Sequence, residues 1–175
     1  DYKISKNKEN INWSKIGNSE PNYNPTFDIF FSGQQSSNLR KELIEFLKSK
    51  NYNFFGRTEK LKVPFNDYLK TIYNSRINLA LEGKGEFTFR HLEILATCSF
   101  MVCQSSINDL DLPLPLLDGK HFVSFNNKDD LEEKINFYLK NDKSRNDIAL
   151  NGRRVLEKHY SPKKHGEFLL SKIFS

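Results

Sequence analysis

Short apolar runs alternate with amphipathic stretches along most of this chain. The first run, FDIFFS at residues 27–32, is rich in aromatic and branched side chains and stops at Gly33, which predicts a strand. The next stretch begins with Ser and Asn residues that cap helices, and its leucines recur at helical spacing from Leu39 to Leu47. The sequence therefore predicts a strand followed by an amphipathic helix.

The same order of strand and helix is repeated. Further strands are predicted at residues 52–57, 76–83, 100–104 and 121–125. Helices are predicted at residues 64–75, 88–98, 128–142, 144–160 and 161–174. Phe65 and Phe89 are expected on the apolar faces of the helices at residues 64–75 and 88–98, respectively. This alternation favours an α/β fold, a Rossmann-like three-layer sandwich with a mostly parallel sheet of about five or six strands.

Two regions differ in composition. Residues 1–26 are rich in Asn, Lys, Ser and Pro, which predicts a linker or N-terminal extension, whereas residues 27–175 are predicted to form the domain with its C-terminal helices. With 37% hydrophobic and 28% charged residues, the chain has a globular composition. It has no run of roughly 20 apolar residues, the length that a membrane span needs. Cys98 and Cys103 are expected to be reduced core residues.

The net charge of +5 indicates attraction to an anion, whether nucleic acid, an anionic lipid head group or a phosphorylated ligand. Nucleic acid is disfavoured, because Lys and Arg are dispersed beside Asp and Glu and no nucleic-acid motif is present. The histidines have no metal-binding spacing, so no metal site is expected.

Three predicted strand ends are followed by loops with both glycine and arginine, the arginines being Arg40, Arg57 and Arg90. Glycine lets backbone N–H groups approach an anion, and the guanidinium group supplies a fixed charge. An arginine near the start of a helix opposes the helix dipole, so its presence there favours a bound anion. These loops are expected at the carboxyl ends of the strands, where such sheets bind ligands.

Gly33, Arg40, Thr88 and Arg90 are the residues predicted to hold a diphosphate. An ordinary glycine turn with a solvent-facing arginine is the alternative, because GKG is not the GxGxxG pattern and no Walker A motif is present. Glu93 lies three residues after Arg90, near the same helix face. Its carboxylate could accept hydrogen bonds from ribose hydroxyls, or it could form a surface ion pair with the arginine.

The segments FFSGQQSSNLRKEL, TFRHLEILA and IALNGRRVLEKHY, in this order, make the chain resemble the C-terminal, donor-binding domain of a GT-B glycosyltransferase, one half of that fold. The chain is similar to the exostosin-like and CAP10-like (protein O-glucosyltransferase) families from about residue 27 to residue 175. The resemblance implies a nucleotide-diphosphate sugar as donor, a UDP-sugar or GDP-sugar, bound without metal and without a further cofactor. Many relatives have a glycine in the segment that is TCS at residues 97–99 here.

The resemblance also implies residue roles. It implies diphosphate contacts for Arg40 and Arg90 and a ribose contact for Glu93, and Arg57 is expected beside the ribose or the base. Because the reaction in such enzymes lies between two halves, an N-terminal acceptor-binding domain is expected to complete this chain, and no catalytic residue is assigned.

The implied activity is transfer of a hexosyl or pentosyl group to a glycan, lipid or protein acceptor. Glu86 and Asp109 lie in predicted strand-end loops and are candidates for contact with the donor sugar, with a solvated acidic loop as the alternative. A cytoplasmic location is expected, and peripheral contact with a membrane stays open.

A non-catalytic, flavodoxin-like module for ligand binding or protein interaction is the alternative function, since it shares the architecture. A receiver domain needs an acidic cluster at the end of the first strand. Asp28 lies at the start of that strand instead, which disfavours this class.

Overall fold

The computed structural model describes residues 18–34, 37–57, 63–83 and 85–173. Five strands and six α-helices lie within them. The strands are β1 (Phe27–Ser32), β2 (Phe54–Arg57), β3 (Ser75–Ala80), β4 (Met101–Gln104) and β5 (Val123–Phe125). The helices are α1 (Asn38–Lys48), α2 (Phe65–Tyr73), α3 (Phe89–Ala96), α4 (Lys128–Lys140), α5 (Asp142–His159) and α6 (Pro162–Ile173).

All five strands form one parallel sheet in the order β2-β1-β3-β4-β5. Ile29 of β1 pairs with Phe54 on one side and with Ile77 on the other. The sheet confirms the predicted α/β, Rossmann-like sandwich and gives it five strands. From β1 the chain continues to β2 on one side of the sheet, and from β3 it continues to β4 and β5 on the other side. A crevice therefore opens between the loops that follow β1 and β3.

Each face of the sheet has its own apolar core, as the alternation of side chains along a strand requires. Ile29 and Phe31 of β1 face a core that includes residues of α1, α4 and α5. Phe30 faces the opposite core, which includes residues of α2 and α3. α1 and α3 begin at the carboxyl edge of the sheet, so their first turns lie beside the crevice.

Three residues predicted on apolar helix faces are exposed instead. Leu39, Phe65 and Phe89 have exposed fractions of 50%, 42% and 72%. The prediction was wrong because each residue lies in the first turn of its helix, at the edge where the strands have ended and no core covers it. Helical periodicity identifies a face but does not show where the neighbouring sheet stops.

Both cysteines are buried and free, as predicted. Cys98 follows α3 with a φ of 53°, in the left-handed region that favours glycine. A glycine would adopt this conformation without strain.

Part of the predicted extension contacts the domain. Nδ2 of Asn22 donates hydrogen bonds to the backbone oxygen of Tyr73 at 3.1 Å and to Oδ1 of Asn74 at 2.8 Å. Residues 1–17 lie outside the described residues, so the assignment of residues 1–26 as a linker stays a prediction. No helix in the described part of the chain is long and apolar enough to cross a membrane.

Candidate functional site

Two arginines from different loops meet in the crevice between β1 and β3. A methyl group placed on Gly33 would lie 3.5 Å from Nη1 of Arg40 and 3.7 Å from Nη1 of Arg90. Both guanidinium groups also lie near the ring of Phe31, at 5.3 Å and 5.5 Å from its centroid. The structure thus brings together Gly33, Arg40 and Arg90, with Thr88 at the start of the same helix as Arg90.

Arg40 connects the two loops that border the crevice. It lies in the first turn of α1, and its backbone N–H donates to the capping hydroxyl of Ser37 at 3.2 Å. Its buried side chain donates from Nη1 to the backbone oxygen of Gln34 at 2.7 Å and from Nη2 to that of Leu81 at 2.6 Å. Burial, together with the charge of Arg90, lowers the pKa of Arg40. Arg40 therefore holds a positive charge at the base of the crevice.

Arg90 places a second positive charge beside the first. Its Nη1 atom is buried and has no hydrogen-bond partner among the described residues. Its guanidinium carbon lies 5.9 Å from the ring centroid of Tyr68, within the range of cation–π attraction. Two like charges this close repel each other, and an anion between them would remove the repulsion and satisfy the buried N–H group.

The start of α3 is held by a buried histidine. The backbone N–H of Thr88 donates to Nδ1 of His91 at 3.0 Å, and Phe87 stacks on the imidazole ring with 4.9 Å between centroids. Burial lowers the pKa of His91 to about 4, so the ring is neutral at pH 7. The helix start is therefore fixed beside Arg90, where its backbone N–H groups can add to the attraction of an anion.

Glu93 is held by a tyrosine that the sequence analysis did not assign to the site. The hydroxyl of Tyr68 in α2 donates to Oε2 of Glu93 at 2.7 Å. Burial is the main cause that raises the pKa of Tyr68, so its hydroxyl remains a donor. Within the described residues, no ion pair joins Glu93 to Arg90, and the role of Glu93 stays a prediction.

The remaining predicted residues lie at the end of a strand or in loops that follow strands. Glu86 is exposed in the loop between β3 and α3, and Asp109 is exposed at the end of a short 3₁₀ helix after β4. Arg57 is the last residue of β2. Its side chain lies outside the described part of the structure, so nothing tests its predicted contact with the ribose or the base. These roles stay predictions.

Glu82 is a further acidic residue at this edge, and the sequence analysis did not select it. It directly follows Leu81, the residue that Arg40 binds. Its backbone N–H donates to Oε1 of Gln104 at 2.7 Å, and its carboxylate accepts a hydrogen bond from the hydroxyl of Ser106. Glu82 lies two residues after the end of β3, whereas the sequence analysis placed it inside the strand predicted at residues 76–83.

The sheet order and the crevice define a doubly wound α/β domain with a cationic site at its switch point. Residues 38–171 match a protein family described as glycosyl transferase-like. Because the match spans most of the chain, the protein belongs to this glycosyl transferase-like family. A search of curated proteins gave no match. Family membership supports glycosyl transfer in general and hence a sugar donor and an acceptor, while the likeness to exostosin-like and CAP10-like families stays a prediction.

Proposed function

We propose that this chain binds the diphosphate of a nucleotide sugar in the crevice between β1 and β3 and acts as the donor half of a GT-B glycosyltransferase. The observation that carries the proposal is the meeting of Arg40 and Arg90 beside Gly33. The absence of a side chain on Gly33 leaves room for a phosphate between the backbone and the guanidinium groups. A planar guanidinium group suits a phosphate, because it can donate two parallel hydrogen bonds.

The residues around the crevice have separate roles in this proposal. Arg90 donates hydrogen bonds to the diphosphate. Arg40 adds its positive charge at the base of the crevice, and its hydrogen bonds fix the two loops. Glu93, oriented by Tyr68, accepts hydrogen bonds from the ribose. Glu82, together with Glu86 and Asp109, borders the space for the donor sugar.

Transfer breaks the bond between the anomeric carbon and the diphosphate oxygen, which keeps the electron pair. An acceptor hydroxyl forms the new bond to the anomeric carbon and gives its proton to a base, which we assign to an N-terminal acceptor-binding domain. Charge grows on the diphosphate as the bond breaks, so Arg40, Arg90 and the start of α3 stabilise the transition state more than the bound donor.

The strand order favours one alternative. The order β2-β1-β3-β4-β5 is that of flavodoxin-like proteins, in which phosphorylated ligands bind at the β1/β3 crevice without group transfer. A non-catalytic module of this type would bind the same anion. Membership of the glycosyl transferase-like family favours the transferase.

Nucleotide binding tests the proposal. We expect one nucleoside diphosphate among UDP, GDP and ADP to raise the melting temperature, and CMP to have less effect because it lacks the second phosphate. Arg90→Ala should weaken that binding by about 10- to 100-fold, because it removes charge-assisted hydrogen bonds. Arg76→Ala is the matched control, since Arg76 lies at the other end of β3 and pairs with Asp28 at 3.1 Å. Calorimetric titration of each variant gives the affinities.

Equal binding by the parent chain and Arg90→Ala would place the nucleotide elsewhere and overturn the proposed site. An equal loss of nucleotide affinity in Arg76→Ala would show that the net charge of the protein, and not Arg90 itself, determines binding. The transferase is separated from the non-catalytic module by release of sugar from the matching nucleotide sugar, measured on a chain joined to its acceptor-binding domain. Binding without release there would favour the module.

A further inference from the structure

A second cationic region lies at the opposite edge of the sheet. A groove of about 350 Å³ opens between the loop that precedes β5 and the C-terminal half of α5. Its basic lining consists of Lys120, His121, Arg154, Lys158 and His159. Leu117, which is 53% exposed, and Val155 give it an apolar wall. The volume is within the range of small-molecule sites, about 300 to 1,000 Å³.

This groove is separate from the arginine crevice. α3 begins beside Arg90 at the carboxyl edge and ends at Ala96, whose backbone oxygen accepts a hydrogen bond from Nη1 of Arg153 in α5. Arg154 and the groove therefore lie beyond the far end of α3. A helix of eight residues separates the two regions by roughly 12 Å.

The positive charge of the groove is not neutralised by the part of the chain that the structure describes. No acidic side chain in that part lines the groove, and neither Arg154 nor Lys158 forms an ion pair within it. Glu157 bonds instead to Arg153 at 2.8 Å. Concentrated, uncompensated charge in a concave site raises the local concentration of anions.

A buried histidine lies at the base of the groove. Nδ1 of His121 accepts a hydrogen bond from the backbone N–H of Leu117 at 3.0 Å, which fixes the ring in the loop. Burial, followed by the charges of Lys120 and His159, lowers the pKa of His121. A bound anion would counter the charge of Lys120.

We propose that this groove binds a phosphate ester, with its phosphate among Lys120, Arg154 and Lys158 and its carbon portion against Leu117 and Val155. A phosphate dianion accepts several charge-assisted hydrogen bonds at once, which suits a cluster of three cations. The concave shape favours a small ester over an extended polyanion, which is bound by many contacts along its length. The ester is either a soluble compound or the head group of a lipid, and the experiment separates these sources.

The test uses butyl phosphate, inorganic phosphate and lipid vesicles as probes, with the four histidines of the chain as NMR reporters. Butyl phosphate is expected to shift the ring signals of His121 and His159 and to leave those of His91 unchanged. It should bind more tightly than inorganic phosphate, because only the ester contacts the apolar wall. In the vesicle experiment, sedimentation of the protein with phosphatidylglycerol vesicles is compared with its sedimentation with phosphatidylcholine vesicles.

Two sets of variants make the test specific. The double variant Arg154→Gln/Lys158→Gln should lose at least about tenfold in affinity, since each change removes a charge-assisted hydrogen bond. Lys143→Gln, which removes an exposed lysine of α5 that pairs with Asp147, should bind as the parent chain does. Arg90→Ala should also retain binding, because the crevice is a separate site. Circular dichroism checks that each variant is folded.

Binding of butyl phosphate that depends on Arg154 and Lys158 supports a soluble ester. Sedimentation with phosphatidylglycerol alone, with the same dependence and no binding of butyl phosphate, supports a lipid head group. The proposal is overturned if neither probe binds, if Lys143→Gln loses as much affinity as the double variant, or if Arg90→Ala abolishes the histidine shifts.

Discussion

Replacing Gly152 by alanine is expected to lower the free energy of unfolding by about 2–3 kcal/mol, although alanine favours helices more than glycine does. Gly152 lies inside α5, where the helix packs on the end of α3 and on the loop before β5. An added methyl group would lie 2.6 Å from Cδ2 of Leu95 and 2.7 Å from the backbone oxygen of His121. The leucine can rotate, but the backbone oxygen cannot move unless its loop moves, so the helix and the loop must separate.

Gly166→Ala is the matched control, because it makes the same change inside α6. A methyl group there would meet nothing within 4 Å, so only the gain in helix propensity remains. We expect this variant to be more stable than the parent chain by up to about 1 kcal/mol. Urea denaturation followed by circular dichroism measures both variants. A Gly152→Ala variant as stable as Gly166→Ala would contradict the close packing of α5 on α3.

Much of the fold could be predicted because its signals are local. A strand buried on both faces, such as FDIFFS, needs a continuous apolar run, and a helix packed on the sheet needs an apolar stripe. Both patterns are visible in a short stretch of sequence. The glycines and arginines at the strand ends were visible for the same reason, and they located the edge of the sheet that bears the candidate site.

The assembly of the site could not be predicted, because it depends on which strands are neighbours. Along the sequence, the loops with Arg40, Arg57 and Arg90 look alike. In the sheet, β1 and β3 are adjacent, so Arg40 and Arg90 meet, whereas β2 is an edge strand. The bond from Tyr68 to Glu93 joins two helices, and no local pattern shows how two helices pack. Gly152 likewise has a role only because α5 packs on α3.

Lowering the pH from 7 to 4 is expected to destabilise the protein by about 3 kcal/mol through His91 alone. The pKa of this histidine falls from an ordinary value of 6.5 to about 4 in the folded chain, because its ring is buried. Between these two values the unfolded chain binds a proton that the folded chain does not. The contribution of the neutral ring is therefore complete above pH 6.5 and is lost as the pH falls toward 4.

His91→Gln isolates this effect, because a glutamine at the same position can accept the hydrogen bond from the backbone N–H of Thr88 but does not titrate. Urea denaturation at a series of pH values should show a smaller loss of stability in the variant, with the two curves separating between pH 6.5 and 4. His121, whose pKa is also lowered, is present in both chains and cancels in the difference. Protonation would also remove the hydrogen bond that caps α3 and fixes its backbone N–H groups beside Arg90, so nucleotide affinity should decrease more steeply on acidification in the parent chain than in the variant. Parallel stability curves would show that other groups cause the acid sensitivity and that His91 does not hold the start of α3 as a neutral ring.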